Sequence, residues 1–291
     1  MGEFAIEIEG LSYKRQNFKL DHINMTVPKG YVTGFIGVNG AGKTTLIRLI
    51  MDLISPTQGN IYILNQTMKE APVAIKDRIG FVYSELYLNE RWSIQKVEKL
   101  IAPFYSRWDH DIFLNFLERF GLNYKQKIQH LSTGMKMKLS LAIAFSHHAE
   151  LFIFDEPTAG LDPVVRHEVL EMIQDLLLDA NKTVLFSTHI TSDLERIADY
   201  IVHLKDGKIV FQDSKEHLLE THRIVRGDVQ DLDAELASLM IHYQTTDVGF
   251  TGMTKHADVF KELFGNRVTI SNASIEDVMI AYEKGTSEIQ E

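Results

Sequence analysis

The sequence contains no cysteine among its 291 residues, so no disulfide bond can stabilise the fold, and cysteine usage indicates no redox compartment. Long hydrophobic runs are also lacking. The longest lies within residues 139–145, far short of the roughly 20 apolar residues that span a bilayer. If the protein acts at a membrane, we therefore expect another subunit to supply the spanning helices.

An excess of positive charge is absent as well. The formal net charge is −10 at pH 7, which opposes binding to the phosphate backbone of a nucleic acid as a main activity. The chain is nevertheless long enough to bury a large core, with room for a small additional unit. We therefore predict a globular protein without a nucleic-acid partner.

A glycine-containing loop at residues 37–45, GVNGAGKTT, is the most informative segment that is present. It fits the pattern G-x-x-x-x-G-K-[ST], in which glycines let backbone N–H groups turn towards a phosphate. Lys43 would reach the β- and γ-phosphates, and the Thr44 hydroxyl would coordinate Mg²⁺. A buried strand at 31–36 and a helix at 44–51 are predicted on either side, so the helix N-terminus would face the phosphates.

This phosphate loop predicts that the chain binds a nucleoside triphosphate with Mg²⁺. The loop residues expected to contact the nucleotide are Asn39, Gly40, Ala41, Gly42, Lys43, Thr44 and Thr45.

A short apolar run at residues 151–156, LFIFDE, ends in two carboxylates. Such a run suits a buried parallel strand, which would deliver both acids to the sheet edge beside the phosphate loop. Asp155 would then hold Mg²⁺, directly or through water, and Glu156 would polarise the water that attacks the γ-phosphate. Two acids that merely end a strand in solvent are the alternative for an isolated Asp-Glu pair.

Three further motifs surround this strand. The segment LSTGM at 131–135 places Ser132 and the Gly134 N–H at the start of a predicted helix, where the positive end of the helix suits a γ-phosphate. Asp162, in AGLD at 159–162, precedes Pro163 and is a predicted helix N-cap, as is Ser132. His189 follows a predicted strand and could bond the γ-phosphate or the attacking water.

These motifs, in this order, resemble those of the ATP-binding-cassette (ABC) ATPases, and the resemblance covers residues 37–189. It implies binding of ATP and Mg²⁺, with Glu156, His189 and Lys43 as catalytic residues. It also implies a head-to-tail pair of cassettes, an identical chain or a related one. In that pair, Ser132 and Gly134 of one cassette close over the ATP of the other, while Asp162 communicates across the interface.

The sequence departs from the family pattern at two places. The glutamine expected after the third core strand is missing, and Ser84 with Glu85 stands there instead. We predict Glu85 as a metal ligand, with Ser84 as the alternative. The second departure is Thr133, which replaces a glycine of the signature LSGGQ.

The aromatic side chain that stacks on adenine is ambiguous in this sequence. Arg15 occupies the position where an aromatic residue is usual in the family. We predict that Tyr13 fills this role, because stacking needs only a flat face and a short reach. For Phe18, packing in the core is preferred.

The predicted fold class is α/β: a P-loop NTPase of the ABC type with an N-terminal antiparallel β-subdomain and a helical subdomain at about 86–150. The nucleotide-binding domain is predicted to span 1–220, and residues 221–291 would form a small C-terminal α/β extension that is regulatory or supports dimerisation. The Asp206-Gly207 pair between two alternating runs also predicts a type I′ hairpin.

The resemblance extends to ATPase subunits of Gram-positive exporters, of the bacitracin-type, Ytr-like and phenol-soluble-modulin groups. It rests on segments 79–83, 101–105, 131–138 and 186–195. It implies a peripheral ATPase at the cytoplasmic face of the membrane, bound to a separate permease, with phenol-soluble modulins as the suggested cargo. A non-transport ABC ATPase that acts as a soluble assembly factor is the alternative.

Overall fold

The computed structural model describes residues 3–15, 18–83 and 87–285. The prediction for Glu85 and its alternative Ser84 therefore lies outside the described residues. The fold is mixed α/β, and it confirms the predicted class: an antiparallel N-terminal sheet, a mainly parallel central sheet, a helical region and a C-terminal α/β unit.

The N-terminal sheet has three antiparallel strands in the order β2-β1-β4, with β3 belonging to the central sheet. Their alternating sequences bury one face, which includes Ile6, Ile8 and Leu20, and leave the other face to solvent. These strands form the predicted N-terminal antiparallel β-subdomain. The first four strands are β1 (Phe4–Arg15), β2 (Phe18–Pro28), β3 (Val32–Ile36) and β4 (Gln58–Ile63).

The central sheet has six strands in the order β5-β6-β7-β3-β8-β9, all parallel except the final pair. Every residue of β3, β6 and β7 is buried, which explains their mainly apolar sequences. The carboxyl ends of these three neighbouring strands meet at one edge, where the predicted motifs follow. The remaining strands are β5 (Ile79–Val82), β6 (Leu151–Asp155), β7 (Thr183–Thr188), β8 (Tyr200–Lys205) and β9 (Lys208–Ser214).

The two-residue connection between β8 and β9 confirms the predicted hairpin. Asp206 and Gly207 have φ angles of 48° and 73°, as a type I′ turn requires at both central positions. A Cβ at Gly207 would also overlap the backbone oxygen of Lys19, so glycine is needed there for close approach.

Eleven α-helices are found in the described part of the chain, and each is too short or too polar to span a bilayer. The predicted helical region contains three of them between β5 and β6. The helices are α1 (Lys43–Ile50), α2 (Pro72–Lys76), α3 (Ile94–Ile101), α4 (His110–Arg119), α5 (Thr133–Phe145), α6 (Pro163–Leu176), α7 (Thr191–Ile197), α8 (Lys215–Thr221), α9 (Ala234–Ser238), α10 (Ala257–Phe264) and α11 (Ile275–Lys284).

The C-terminal unit is a four-stranded antiparallel sheet with its own apolar core, which includes Val225, Phe250 and Phe260. Its final helix, α11, packs back on α7, α8 and β11. Helix α7 begins two residues after His189, so α11 contacts an element of the nucleotide-binding region. The domain boundary near residue 220 stays a prediction. The strands are β10 (Arg223–Gly227), β11 (Met240–Thr246), β12 (Gly249–Thr254) and β13 (Thr269–Asn272).

Candidate active site

The phosphate loop forms the turn between β3 and α1, as predicted. Gly40 and Gly42 have φ angles of 87° and 115°, in the region that favours glycine, and Gly42 is the N-cap of α1. The loop borders an open cleft of about 490 Å³, a volume typical of small-ligand sites. Its lining residues are Phe18, Asn39, Gly40, Gly42, Lys43, Thr44, Thr45, Glu156, Ala159 and His189.

Lys43 lies at the base of this cleft with its side chain only 6% exposed. Its ammonium group donates a hydrogen bond to the carbonyl oxygen of Gly37 at 2.6 Å. The same nitrogen is 3.3 Å from a carboxylate oxygen of Glu156. The buried cation is therefore held by two oxygen acceptors, at the place where phosphate oxygens of a nucleotide could become its partners.

Glu156 is also paired on its other side. Oε2 lies 2.7 Å from Nδ1 of His189, and the Glu156 side chain is 14% exposed. Its backbone N–H donates to the carbonyl and hydroxyl oxygens of Ser187, both at 3.1 Å. The φ angle of Glu156 is 53°, a left-handed conformation that costs of order 1–3 kcal/mol for a non-glycine residue at functional sites. The end of β6 therefore aims this carboxylate into the cleft at an energetic cost.

Asp155 is buried immediately before it, at the carboxyl end of β6. Its Oδ1 accepts hydrogen bonds from the hydroxyls of Ser187, at 2.7 Å, and Thr44, at 3.3 Å. Burial raises the pKa of the Asp155 carboxyl, and the nearby Glu156 charge adds to that effect, whereas the Ser187 and Thr44 hydroxyls oppose it. Its other oxygen, Oδ2, is buried and accepts no hydrogen bond from any described residue.

A buried carboxylate oxygen without a donor, beside a threonine hydroxyl, fits a Mg²⁺ ion, which prefers hard oxygen ligands. Thr44 and Asp155 would hold it. The described residues contain no cluster of three or more His, Asp or Glu side chains suited to a metal. At nucleotide sites, Mg²⁺ is bound by one or two carboxylates together with substrate phosphates and water. Such an ion would neutralise charge on the phosphates.

Ser132 and Asp162 both cap helices, as predicted. The Ser132 hydroxyl accepts from the Met135 N–H at 3.2 Å at the start of α5. The Asp162 carboxylate accepts from the N–H groups of Val164 and Val165, at 3.0 and 3.1 Å, at the start of α6. Each cap contributes typically about 1 kcal/mol to stability.

These two caps face a second cleft of about 330 Å³. Among the described residues, the two clefts have no lining residue in common. The structure therefore brings Ser132, Gly134 and Asp162 together with one another, and not with the phosphate loop of the same chain. The second cleft is lined by Ser132, Thr133, Gly134, Met135, Lys138, Gly160, Leu161, Asp162 and Val165.

The aromatic ring at the cleft wall belongs to Phe18. A Cβ at Gly42 would lie 2.7 Å from Cζ of Phe18, so the ring approaches the phosphate loop directly. Phe18 also packs on the core of the N-terminal sheet, the environment expected for it. Tyr13 pairs with Leu20 in the β1–β2 ladder and packs on the same core. Adenine stacking by Tyr13 stays a prediction, and among these two aromatic residues Phe18 is the one that lines the cleft.

Sequence reasoning also missed the hydroxyl of Ser187, which bonds Asp155, and a buried hydrogen-bond network around Asp193. Ser187 could have been identified, because it is the penultimate residue of β7, a core strand that neighbours β6, and lies two residues before His189. The Asp193 contacts join residues 27 and 35 positions apart, so no local pattern indicated them.

The carboxyl edge of a parallel sheet, where a glycine-bounded loop opens a helix beside a buried Asp and an aimed Glu, is the architecture of P-loop nucleoside triphosphatases. The molecule belongs to that class.

Comparison with known proteins identifies the family. The ABC transporter family model matches residues 20–159. The bacitracin transport ATP-binding protein BcrA of Bacillus licheniformis is 35% identical over 212 residues, covering 70% of this chain and 67% of that protein. The lantibiotic transport ATP-binding protein SrtF of Streptococcus pyogenes is 33% identical over 206 residues, covering 69% and 88% respectively. The chain belongs to the ABC transporter family and is an ATP-binding ATPase of it.

A solved structure of the ATP-binding subunit of an ABC transporter superposes with a TM-score of 0.67 at 26% identity. The alignment covers 74% of this chain and 92% of that one. The prediction of an ABC-type ATPase is confirmed.

Proposed function

We propose that this chain is the ATP-hydrolysing subunit of a membrane exporter of peptides or antimicrobials, bound to a separate permease at the cytoplasmic face. The observation that carries the proposal is the likeness to two ATP-binding proteins that are named for bacitracin and lantibiotic transport. Amphipathic peptides such as phenol-soluble modulins are the cargo class that we favour.

In the proposed mechanism, Lys43, Thr44 and Asp155 bind Mg²⁺–ATP, and Glu156 is the general base. Lys43 now contacts Glu156 at 3.3 Å. Phosphate oxygens would take over the ammonium group, which frees one oxygen of Glu156 to accept a proton from the attacking water. His189 keeps the other oxygen in place through the 2.7 Å contact. The chain's own residues thus switch Glu156 from an ion pair to a base when ATP enters.

Two copies, or this chain and a related cassette, would complete the site head to tail. The cleft at Ser132 and Gly134 contains the N-terminus of α5, which carries partial positive charge, and it shares no described lining residue with the phosphate-loop cleft. This arrangement supports binding of a γ-phosphate held by the other cassette. Asp162 lies in the same cleft and would report on that contact.

The permease would cover exposed apolar side chains that follow β5 and α3. Tyr87 is 73% exposed, and its ring lies 6.0 Å from that of Tyr83, at the end of β5. Phe104 is 79% exposed in the short 3₁₀ turn that follows α3. Large exposed apolar side chains of this kind suit burial against a partner. We propose that a cytoplasmic helix of the permease contacts Tyr87 and Phe104.

Co-expression with a candidate permease subunit tests the proposal. We expect the wild-type chain to co-purify with permease-containing membranes, and Phe104→Asp to lose this association while the purified variant keeps its ATPase activity. Val248→Asp is the matched control, because Val248 is 87% exposed in the C-terminal sheet hairpin. A chain that never associates with a membrane subunit would instead support a soluble assembly factor.

A further inference from the structure

A buried carboxylate on α7 accepts hydrogen bonds from two segments that flank the proposed catalytic residues. Asp193 is fully buried, four residues after His189. Its Oδ2 accepts a hydrogen bond from the Thr158 hydroxyl at 2.6 Å, and its Oδ1 accepts from Nε of Arg166 at 2.7 Å. Both oxygens therefore accept a hydrogen bond, as buried carboxylates require.

Thr158 belongs to the turn that carries Glu156 towards Asp162. It is two residues after Glu156, and its side chain is buried. The turn is closed by the Ala159 N–H, which donates to the Glu156 carbonyl at 3.1 Å, and by the Leu161 N–H, which donates to the Thr158 carbonyl at 3.3 Å. The Thr158 hydroxyl is thus the side-chain link between this turn and α7.

Arg166 makes the corresponding link from α6. Its backbone N–H donates to the carbonyl of Asp162, the N-cap, at 2.9 Å, so its side chain leaves the first turn of the helix. The guanidinium also donates to the hydroxyl of Ser192 at 2.8 Å. Arg166 therefore joins the Asp162 segment to the first turn of α7 through two neighbouring acceptors.

The three segments that meet at Asp193 each carry a different group of the site: Glu156, Asp162 and His189. The 2.7 Å contact between Glu156 and His189 depends on the relative placement of the turn after β6 and the start of α7. Glu156 also keeps a left-handed backbone, which persists only where its surroundings hold it. A bond network that ties the same two segments together supplies that restraint.

We propose that Asp193 is a positioning residue for ATP hydrolysis: its bonds to Thr158 and Arg166 hold His189 against Glu156 and orient the Asp162 segment. The inference rests on the roles proposed above for Glu156 and His189. It does not depend on the identity of the transported cargo.

Thr158→Val tests the link with little change of volume, and Thr158→Ser restores the hydroxyl. We expect Thr158→Val to lower kcat for ATP about 10- to 100-fold, the range for misplaced catalytic groups, with KM changed less than about 2-fold. Thr158→Ser should stay within about 2-fold of wild type in both constants. Equal activity of the valine and serine variants would overturn the proposal.

A double-variant cycle separates positioning from general loss of stability. If Thr158 and Asp193 act through His189, Thr158→Val should lower kcat less than about 2-fold further in a His189→Ala background. Fully additive effects would overturn the proposal. Phe260→Leu, in the separate C-terminal core, is the stability control. The proposal also fails if Phe260→Leu, at an equal loss of melting temperature, lowers kcat as much as Thr158→Val.

Glu156→Gln distinguishes failure of the positioning role of Asp193 from failure of the catalytic roles proposed for Glu156 and His189. An inactive Glu156→Gln together with a fully active Thr158→Val would remove only the positioning role of Asp193. Wild-type turnover by Glu156→Gln would remove the catalytic roles on which that positioning rests.

Discussion

At the scale of single residues, the site is built from groups held in unfavourable states. Glu156 has a left-handed backbone, and Lys43 is a buried cation beside it. Asp155 is buried with one oxygen that no described residue bonds. Strained and buried polar groups of this kind are typical of preorganised sites.

The first prediction concerns the proposed base. Glu156→Gln should bind ATP nearly as wild type, because Lys43, Thr44 and Asp155 remain, but hydrolyse it at least ~10²-fold more slowly, the usual contribution of a general base. Equilibrium binding and single-turnover hydrolysis measure the two effects. Lys43→Ala is the converse case and should lose nucleotide affinity. Tight ATP binding by Lys43→Ala would contradict the role assigned to the ammonium group.

The second prediction is that Asp155 lowers stability at pH 7 but is required for ATP hydrolysis. Its pKa is raised in the fold, so the folded apo protein holds the proton more tightly than the unfolded chain. The stability from this group is present at low pH, and it falls as pH rises from 3.8, the ordinary pKa, through the raised pKa. Asp155→Asn should therefore have an equal or higher melting temperature at pH 7 while losing Mg²⁺-dependent hydrolysis about 10²-fold or more. A clearly lower melting temperature would contradict this account.

At the scale of elements, one buried acid organises the helical region. Glu98 on α3 accepts hydrogen bonds from Trp108 Nε1 at 3.0 Å and from the Tyr124 hydroxyl at 2.7 Å, and it lies 2.7 Å from Nδ1 of His110. Burial opposes ionisation of Glu98, but the hydrogen bonds from His110, Tyr124 and Trp108 outweigh it and leave its pKa lowered. Burial and Glu98 together raise the pKa of Tyr124 to about 12. The acid thus joins α3 to the start of α4.

Removing this acid should destabilise the fold in a pH-dependent way. Glu98→Ala should lower the free energy of unfolding by about 2–4 kcal/mol, since it leaves buried donors without an acceptor. The hydrogen bond that His110 donates to Glu98 raises the pKa of His110. The stability that His110 contributes is therefore complete below its ordinary pKa of 6.5 and declines as pH rises through the raised value.

The stability that the Glu98 carboxylate contributes depends on pH in the opposite direction. It is present above the ordinary pKa of 4.5 and declines as pH falls through the lowered value. Urea unfolding of wild type and Glu98→Ala should therefore differ most between pH 4.5 and 6.5. A difference that is constant with pH would show that the charges of Glu98 and His110 contribute nothing. Glu118→Ala, on an exposed position of α4, is the matched control.

At the scale of the whole molecule, the motif residues line two separate clefts, and α7 connects the His189 segment with the tail. The second cleft, at Ser132, Gly134 and Asp162, and the phosphate-loop cleft have no described lining residue in common. The C-terminal helix α11 is tied at its start by Glu195 on α7, which accepts from the Ile275 N–H at 3.1 Å. At its end, Lys205 donates to the Glu283 carbonyl at 2.6 Å. We propose that this extension is regulatory or supports dimerisation.

ATP should drive dimer formation, because a bound nucleotide would fill both faces of the interface. Glu156→Gln, which retains ATP, should have about twice the monomer mass by light scattering with Mg²⁺–ATP and a lower mass without it. Adding Ser132→Arg places a long side chain in the second cleft and should abolish the ATP-dependent increase in mass. If both variants have one mass with and without ATP, the head-to-tail arrangement is wrong for this protein alone in solution.

The sequence by itself determined the fold class, the order of the core strands along the chain and the helix caps. These depend on local signals: apolar runs for buried strands, Asp162 before Pro163, and Asp206-Gly207 for a tight turn. It also determined the chemistry of the phosphate loop, because that pattern requires specific residues at fixed spacing.

Only the tertiary structure decided which groups touch. Phe18 rather than Tyr13 lines the cleft, because the β1–β2 pairing sets which ring faces Gly42. Asp193 meets Thr158 and Arg166 across 35 and 27 residues. Such contacts arise when separate strands and helices pack at one sheet edge, and no periodicity or spacing along the chain records them.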